Sequence, residues 1–188
     1  MSSDAAVIEA SLGEPGRFAA IFDRHGPHIH RYLARRLGRE AADDLVGDTF
    51  LIAFDKRGKY DLARPDARPW LYGIATNLVS QYWREQGKQA RLRLVTGPEP
   101  VQDGHADRVA EQVTAEAMGD VLTQALDTLS EGDRDVLVLI ATEGLAYEEV
   151  AAALDIPVGT VRSRMFRARK KVRASLGLTT SEEISQHG

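Results

Sequence analysis

From Pro157 to Leu176 the chain carries Arg162, Arg164, Arg167, Arg169, Lys170, Lys171 and Arg173 without one Asp or Glu, although the whole protein is net −4. Ordinary solvated helix faces mix both signs, so a one-sign stretch on an acidic background suits a polyanion. Arg and Ser side chains can also donate to base edges in a groove. Phe166 lies on the same polar side. Its ring either closes the edge of a packed face or meets a base or a thymine methyl. A second constellation lies in Trp70–Gln86, WLYGIATNLVSQYWREQ, where Asn77, Gln81, Trp83 and Arg84 share the polar side. Aromatic rings beside amides and arginines suit unpaired bases, which stack on rings. The same residues also suit a core helix with two ordinary tryptophans. Asp44 and Asp48 form an acidic i, i+4 pair that would meet a basic partner, although a helix dipole alone favours acids near a helix start. His25, His28 and His30 are close in sequence but have no acidic residue at i+4, so surface histidines are favoured over a metal set.

The elements that must position these groups are helical. LAYEEVAAALDIPVGTVRSRMFRARKKVRASL, Leu145 to Leu176, reads as a helix, a turn at Asp155-Ile156-Pro157, and a longer helix resuming from Gly159. Val161, Met165, Ala168 and Val172 fall on one stripe, which leaves the cations on the other side. A short helix followed by a basic one is a helix-turn-helix with a recognition helix. Ahead of it, Val121–Leu129 and Glu131–Glu143 read as helices, with Ser130 and Asp133 resembling a capping box. In the N-terminal half, residues 1–13 look frayed. Arg17–Gly38 is helical, either kinked or divided at Gly26-Pro27, and Arg39–Lys56 forms the next helix. Arg57–Pro69 is a loop rich in Gly, Pro and charge, leading into the Trp70–Gln86 helix. Gly87–Gly119 is thinly apolar and acidic, and reads as a linker.

The expected fold is therefore all-α: two small helical domains, residues 14–90 and 117–177, joined by a flexible acidic linker at 91–116, with a disordered tail at 178–188. With 188 residues, 43% of them hydrophobic, either one domain or two small ones could be buried. Zero cysteines exclude disulfides and thiolate metal sites and fit a reducing cytoplasm. Neither a basic-then-apolar leader nor a membrane-length apolar run is present, so membrane insertion is not expected. No nucleophile elbow, phosphate loop or metal-ligand set is found, so neither an enzyme nor a cofactor is expected. The slightly acidic total argues against coating DNA by charge alone.

RFAAIFDRHGPHIHRYLARRLG, DDLVGDTFLIAF, WLYGIATN and LAYEEVAAALDIPVGTVRSRMFRARKKV, in that order, resemble the signatures of extracytoplasmic-function (ECF) sigma factors of bacterial RNA polymerase. The resemblance implies sigma region 2 before the linker and region 4 after it. It implies binding to the β′ clamp and β flap of core polymerase, and to promoter DNA that is double-stranded at −35 and single-stranded at −10. By position, Arg162, Ser163, Phe166 and Arg167 would read −35 bases, while Tyr147, Thr160, Arg164 and Lys170 would touch that DNA. Tyr60, Ile74 and Asn77, with Gln81 and Arg84, would serve the −10 strand, an amide in a partly apolar pocket holding one extruded base. Asp44, Leu45, Asp48 and Phe50 would face the clamp. Family members are commonly held by an anti-sigma factor, so such a partner is expected. Three departures stand out. Gly47 occupies a position where Gln is usual, and Ala146 one where Ser or Thr is usual. The Arg57–Arg68 loop is where members differ most. The competing assignment is a conventional helix-turn-helix regulator with an N-terminal sensor.

Overall fold

The computed structural model describes residues 2–96 and 124–177, and among these every regular element is helical. α1 (Asp4–Gly13) leads through a 3₁₀ turn at Pro15–Phe18 into α2 (Ala19–Leu37) and α3 (Arg39–Lys56). A second 3₁₀ turn, Arg57–Lys59, precedes the loop before α4 (Arg68–Thr96). After a helical turn at residues 124–127 come α5 (Glu131–Ala141), α6 (Tyr147–Leu154) and α7 (Val158–Ser175). Of the linker expected at 91–116, residues 91–96 instead belong to α4, and its remainder and the tail at 178–188 lie outside the described residues.

The N-terminal residues are not frayed. Ser3 caps α1 by accepting the Ala6 amide at 3.2 Å, and Ile8 is fully buried with Val7 and Ala5 beside it. Burying such an aliphatic side chain stabilises by about 1.5–3 kcal/mol. That is enough to hold a ten-residue helix that could not stand alone. The sequence is apolar only at scattered positions here, so the signal was hidden in tertiary packing. α2 runs unbroken through Pro27. α4 continues ten residues beyond Gln86, because a single Gly87 is followed by good helix formers such as Lys88, Gln89, Ala90, Arg91 and Leu92.

In the first half α2 and α3 pair antiparallel and α4 crosses both. Tyr32 and Tyr72 meet edge-on at its centre, with the Tyr32 hydroxyl sharing a 2.7 Å hydrogen bond with Thr76. In the second half, Val161, Met165 and Ala168 of α7 bury against α5 and α6, as the stripe demanded. Asp155 takes the left-handed conformation (φ 52°) that ends α6, and Pro157 sets the entry of α7.

The halves meet along α4 and α6, and one continuous apolar cluster runs from Ile8 to Met165. At this seam a methyl group on Gly73 would run into the Ala153 carbonyl, so only glycine permits the approach. Polar groups line its edge. Arg36 and Asp135 form a buried ion pair at 2.7 Å. Glu143, itself buried, accepts from Tyr72 Oη at 2.7 Å and Arg35 Nη1 at 3.1 Å, while its carbonyl accepts from Arg68 Nη2 at 2.7 Å. Burial raises the Asp135 carboxyl above its ordinary range despite Arg36. Burial and the Glu143 carboxylate push the Tyr72 phenol up, so it remains a donor at neutral pH.

Candidate nucleic-acid interface

α7 presents its cations as the sequence required, but not all to the same surroundings. Arg162, Ser163, Phe166, Arg167 and Lys170 are exposed, while Tyr147, Thr160 and Arg164 are half-buried. Phe166 is 70% exposed, the most exposed large hydrophobic side chain among the described residues. It is therefore not edge packing. Together with Tyr147, Glu148, Arg162, Met165 and Arg169 it lines a shallow groove between α6 and α7. Arg169 thus belongs to this surface beside Arg162 and Phe166.

Two arginines turn toward α5. The Arg164 guanidinium lies over Gly132, at the start of that helix. Arg167 donates from Nη2 to Asp133 Oδ1 at 2.9 Å and from Nε to Oδ2 at 3.4 Å. Asp133 is buried, which favours its neutral form, but the hydrogen bonds from Arg167 and Ser130 outweigh burial and hold its carboxyl below the ordinary range. Ser130 caps α5 by accepting the Asp133 amide at 3.3 Å. The capping residues of α5 thus also orient a cation of α7.

On α4, Trp70, Ile74, Asn77, Gln81 and Arg84 recur every three or four residues and so share one face. Asn77, Gln81 and Arg84 are exposed, while Ile74 is buried beneath them. Tyr60 stands beside this face, its ring 4.9 Å from that of Trp70. Its hydroxyl donates to the carbonyls of Arg64 at 2.7 Å and Asp66 at 3.1 Å, and burial pushes the phenol up to about 12. Lys59, Tyr60, Asp61, Arg64 and Trp70 line a small pocket to which Ala152 of α6 also contributes. An aromatic floor and a cationic rim can receive one unpaired base, but Ile74 and Asn77, expected to share that pocket with Tyr60, do not line it. Trp83, midway along the same helix, is 47% exposed.

The acidic surface is on α3. Asp44 and Asp48 are exposed and Leu45 is half-buried. Phe50 points inward, buried edge-on against Phe22 at 4.9 Å, and is not part of the outward face. Leu51 takes that place, 60% exposed and on the same face as Asp44 and Asp48. An apolar residue three positions after an acid on a polar face was the available signal. Gly47 has open space around it.

The three histidines go to separate partners. His25 Nε2 pairs with Asp4 Oδ2 and His30 Nε2 with Asp43 Oδ1, both at 2.7 Å, while His28 Nδ1 accepts from Arg31. Asp4, His25 and Asp66 offer ligand atoms within 4.8 Å of one another. The Asp4 oxygens, however, are already engaged by Arg24, His25 and the Ala67 amide. No helix among the described residues is long and apolar enough to cross a membrane.

With this geometry in place, two family models match: Sigma-70 region 2 over residues 21–89 and Sigma-70, region 4 over residues 120–172. The Probable RNA polymerase sigma-C factor of Mycobacterium bovis is 33% identical over 165 residues, spanning 88% of this chain and 86% of that one. The ECF RNA polymerase sigma factor SigE of Mycolicibacterium smegmatis is also 33% identical over 165 residues, and there the match spans 85% of this chain and 61% of the relative. Among solved structures, CnrH in complex with the cytosolic domain of CnrY aligns with a TM-score of 0.66 at 28% identity, over 94% of this chain and 99% of that one.

Proposed function

The chain belongs to the ECF sigma factors of the sigma-70 family, and from that premise we propose how its surfaces divide the work of promoter-specific initiation. It binds core RNA polymerase in the cytoplasm, performs no catalysis itself, and selects the promoters at which the polymerase starts. α7 reads the −35 element in the major groove through Arg162, Ser163 and Phe166, with Arg167 and Arg169 at the sides. The Tyr60–Trp70 pocket and Asn77 receive an unpaired base of the −10 strand, with Gln81 and Arg84 along the strand's path. Asp44, Asp48 and Leu51 face the basic, partly apolar clamp of the core enzyme. The observation that supports this division is that two chemically different faces lie on the two matched regions. One is an acid-free helix with an exposed aromatic ring, and the other an aromatic pocket with a cationic rim, chemistry suited to single strands.

In the free chain these faces are not independent. Ala152 of α6 lines part of the Tyr60–Trp70 pocket, so docking of region 4 on region 2 would compete with nucleotide capture. Binding to core polymerase separates the regions and lets both faces engage DNA at a set spacing, where two weak sites act through effective concentration. An anti-sigma partner would favour the closed form or cover its faces, as fits a relative solved in complex with the cytosolic domain of another protein.

Run-off transcription with purified core polymerase tests the proposal. Specific transcripts should require both the chain and core. A conventional regulator would instead act only alongside a resident sigma factor, and would bind its DNA tightly alone.

A further inference from the structure

The segment between the second 3₁₀ turn and α4 is held in place from both sides. From within, Tyr60 Oη donates to two of its carbonyls, Asp61 Oδ1 accepts the Ala63 amide at 3.1 Å, and Arg64 pairs with Asp61 at 3.3 Å. From outside, the attachment comes from a residue more than fifty positions earlier. The Asp4 amide donates to the Pro65 carbonyl at 3.0 Å, and Asp4 Oδ2 accepts the Ala67 amide at 3.0 Å. The Asp4 carboxylate is in turn fixed to α2, with Oδ1 accepting from Arg24 Nη1 at 2.8 Å and Oδ2 from His25 Nε2 at 2.7 Å. Asp4 and His25 are both buried. Burial works to raise the Asp4 carboxyl, but the Ala67 amide, Arg24 and His25 together bring it below its ordinary range.

We propose that Asp4, held by Arg24 and His25, is a positioning residue for the promoter-reading loop Asp61–Ala67, and through it for −10 base preference. The proposal rests on the assignment of that loop and the adjoining Tyr60–Trp70 pocket to the −10 strand. A free loop must be ordered each time a strand binds, and the entropy lost is subtracted from every base alike. A loop already anchored at Pro65 and Ala67 presents Asp61 and Arg64 in one geometry, so a wrong base meets unmatched groups and is rejected. Helix α1 thus acts as a strap on the specificity loop without touching DNA. Of its two bonds to the loop, the one from the Ala67 amide to the buried Asp4 carboxylate is charge-assisted, stronger and more directional than apolar contact would be.

The experiment uses the full chain assembled with core polymerase on a set of promoters pre-melted across −10, each differing at one −10 base. Three variants are compared with the parent. Asp4→Ala removes the carboxylate half of the anchor, the bond to the Ala67 amide, and leaves the backbone bond to Pro65. Asp4→Asn keeps one carbonyl acceptor for the Ala67 amide, and covers the case in which Asp4→Ala fails to fold. Asp61→Ala alters the loop itself. Asp4→Ala should lower discrimination between preferred and disfavoured −10 bases by about fivefold, the worth of one lost hydrogen bond. Asp4→Asn should lie between it and the parent, and binding to −35 duplex should stay within about twofold of the parent. If Asp61→Ala changes base preference while Asp4→Ala slows initiation equally on every template, Asp4 is only structural and the proposal is overturned. If neither Asp61→Ala nor Asp4→Ala changes base preference, the assignment of the loop to the −10 strand fails, and the strap with it.

Discussion

Arg162 and Arg167 carry the same guanidinium five positions apart on α7, yet their electrostatic settings differ. Arg162 forms no ion pair among the described residues, whereas Arg167 is tied to buried Asp133. Arg162→Ala should therefore cost about 1–3 kcal/mol of −35 discrimination with little effect on stability. Arg167→Ala should lose specificity and also destabilise the fold, because it leaves a buried carboxylate without its partner, at about 1–3 kcal/mol. Open-complex formation on matched and −35-mutated promoters, alongside thermal unfolding, separates the two. The Asp133 carboxyl is depressed in the folded protein, so its contribution is fully present above the ordinary carboxylate pKa of about 4 and is lost as pH falls through the depressed value. The stability gap between the parent and Asp133→Asn should accordingly be constant from pH 5 to 8 and close below pH 4. On the other face, Asn77→Ala should leave folding intact, since the side chain is exposed, and slow opening on duplex promoters. A pre-melted −10 template should recover part of that loss, because unpairing has already been done.

The helix-turn-helix is well built except at one end. α6 begins at Ala146, whose backbone is in the extended conformation of a capping residue but whose side chain cannot accept a hydrogen bond. Glu149 supplies the other half of a capping box, accepting the Ala146 amide at 2.7 Å. Ala146→Ser should complete the box and raise stability by about 0.5–1 kcal/mol, read as a higher thermal midpoint with unchanged −35 binding. α3 shows the reverse relation between local sequence and role. Gly47 weakens that helix by about 1 kcal/mol relative to Ala, in open space where a side chain would fit.

For the molecule as a whole, the seam between the halves decides which surfaces are free. The buried Arg36–Asp135 pair, the Glu143 contacts and the Gly73–Ala153 approach all cross it. Gly73→Ala should open this seam selectively. The added methyl cannot coexist with the Ala153 carbonyl, yet alanine favours α4 itself. Small-angle scattering should show a larger radius of gyration for the variant, and binding to a single-stranded −10 oligonucleotide should tighten because Ala152 no longer lines the pocket. Unchanged dimensions with tighter binding would mean that the pocket is gated locally instead. Glu143→Gln should act in the same direction more weakly, since it keeps an acceptor for Tyr72 but gives up the charge facing Arg35.

Much of this was legible before any fold was known. The stripe Val161, Met165, Ala168 places the cations of α7 outward, because a helix with one apolar stripe has only one way to face its core. The polar side of α4, with Asn77, Gln81 and Arg84, was likewise legible from spacing, whereas Ile74 and Tyr60 were joined to Asn77 only by the family resemblance. Local periodicity and charge pattern, which depend only on neighbours along the chain, carried the all-α fold and the candidate faces. They could not reach what depends on residues distant in sequence. α1 is held by the burial of Ile8 and by Asp4 against Pro65 and Ala67, which no local pattern announces. Phe50 looked outward by position but turns in against Phe22, leaving Leu51 on the surface. Arg167 and Asp133 are 34 residues apart, and Glu143 meets Tyr72 across 71. Such partners are chosen by how the helices stack, so the tertiary structure alone determined which arginine is tied, which loop is strapped and where the two halves close on each other.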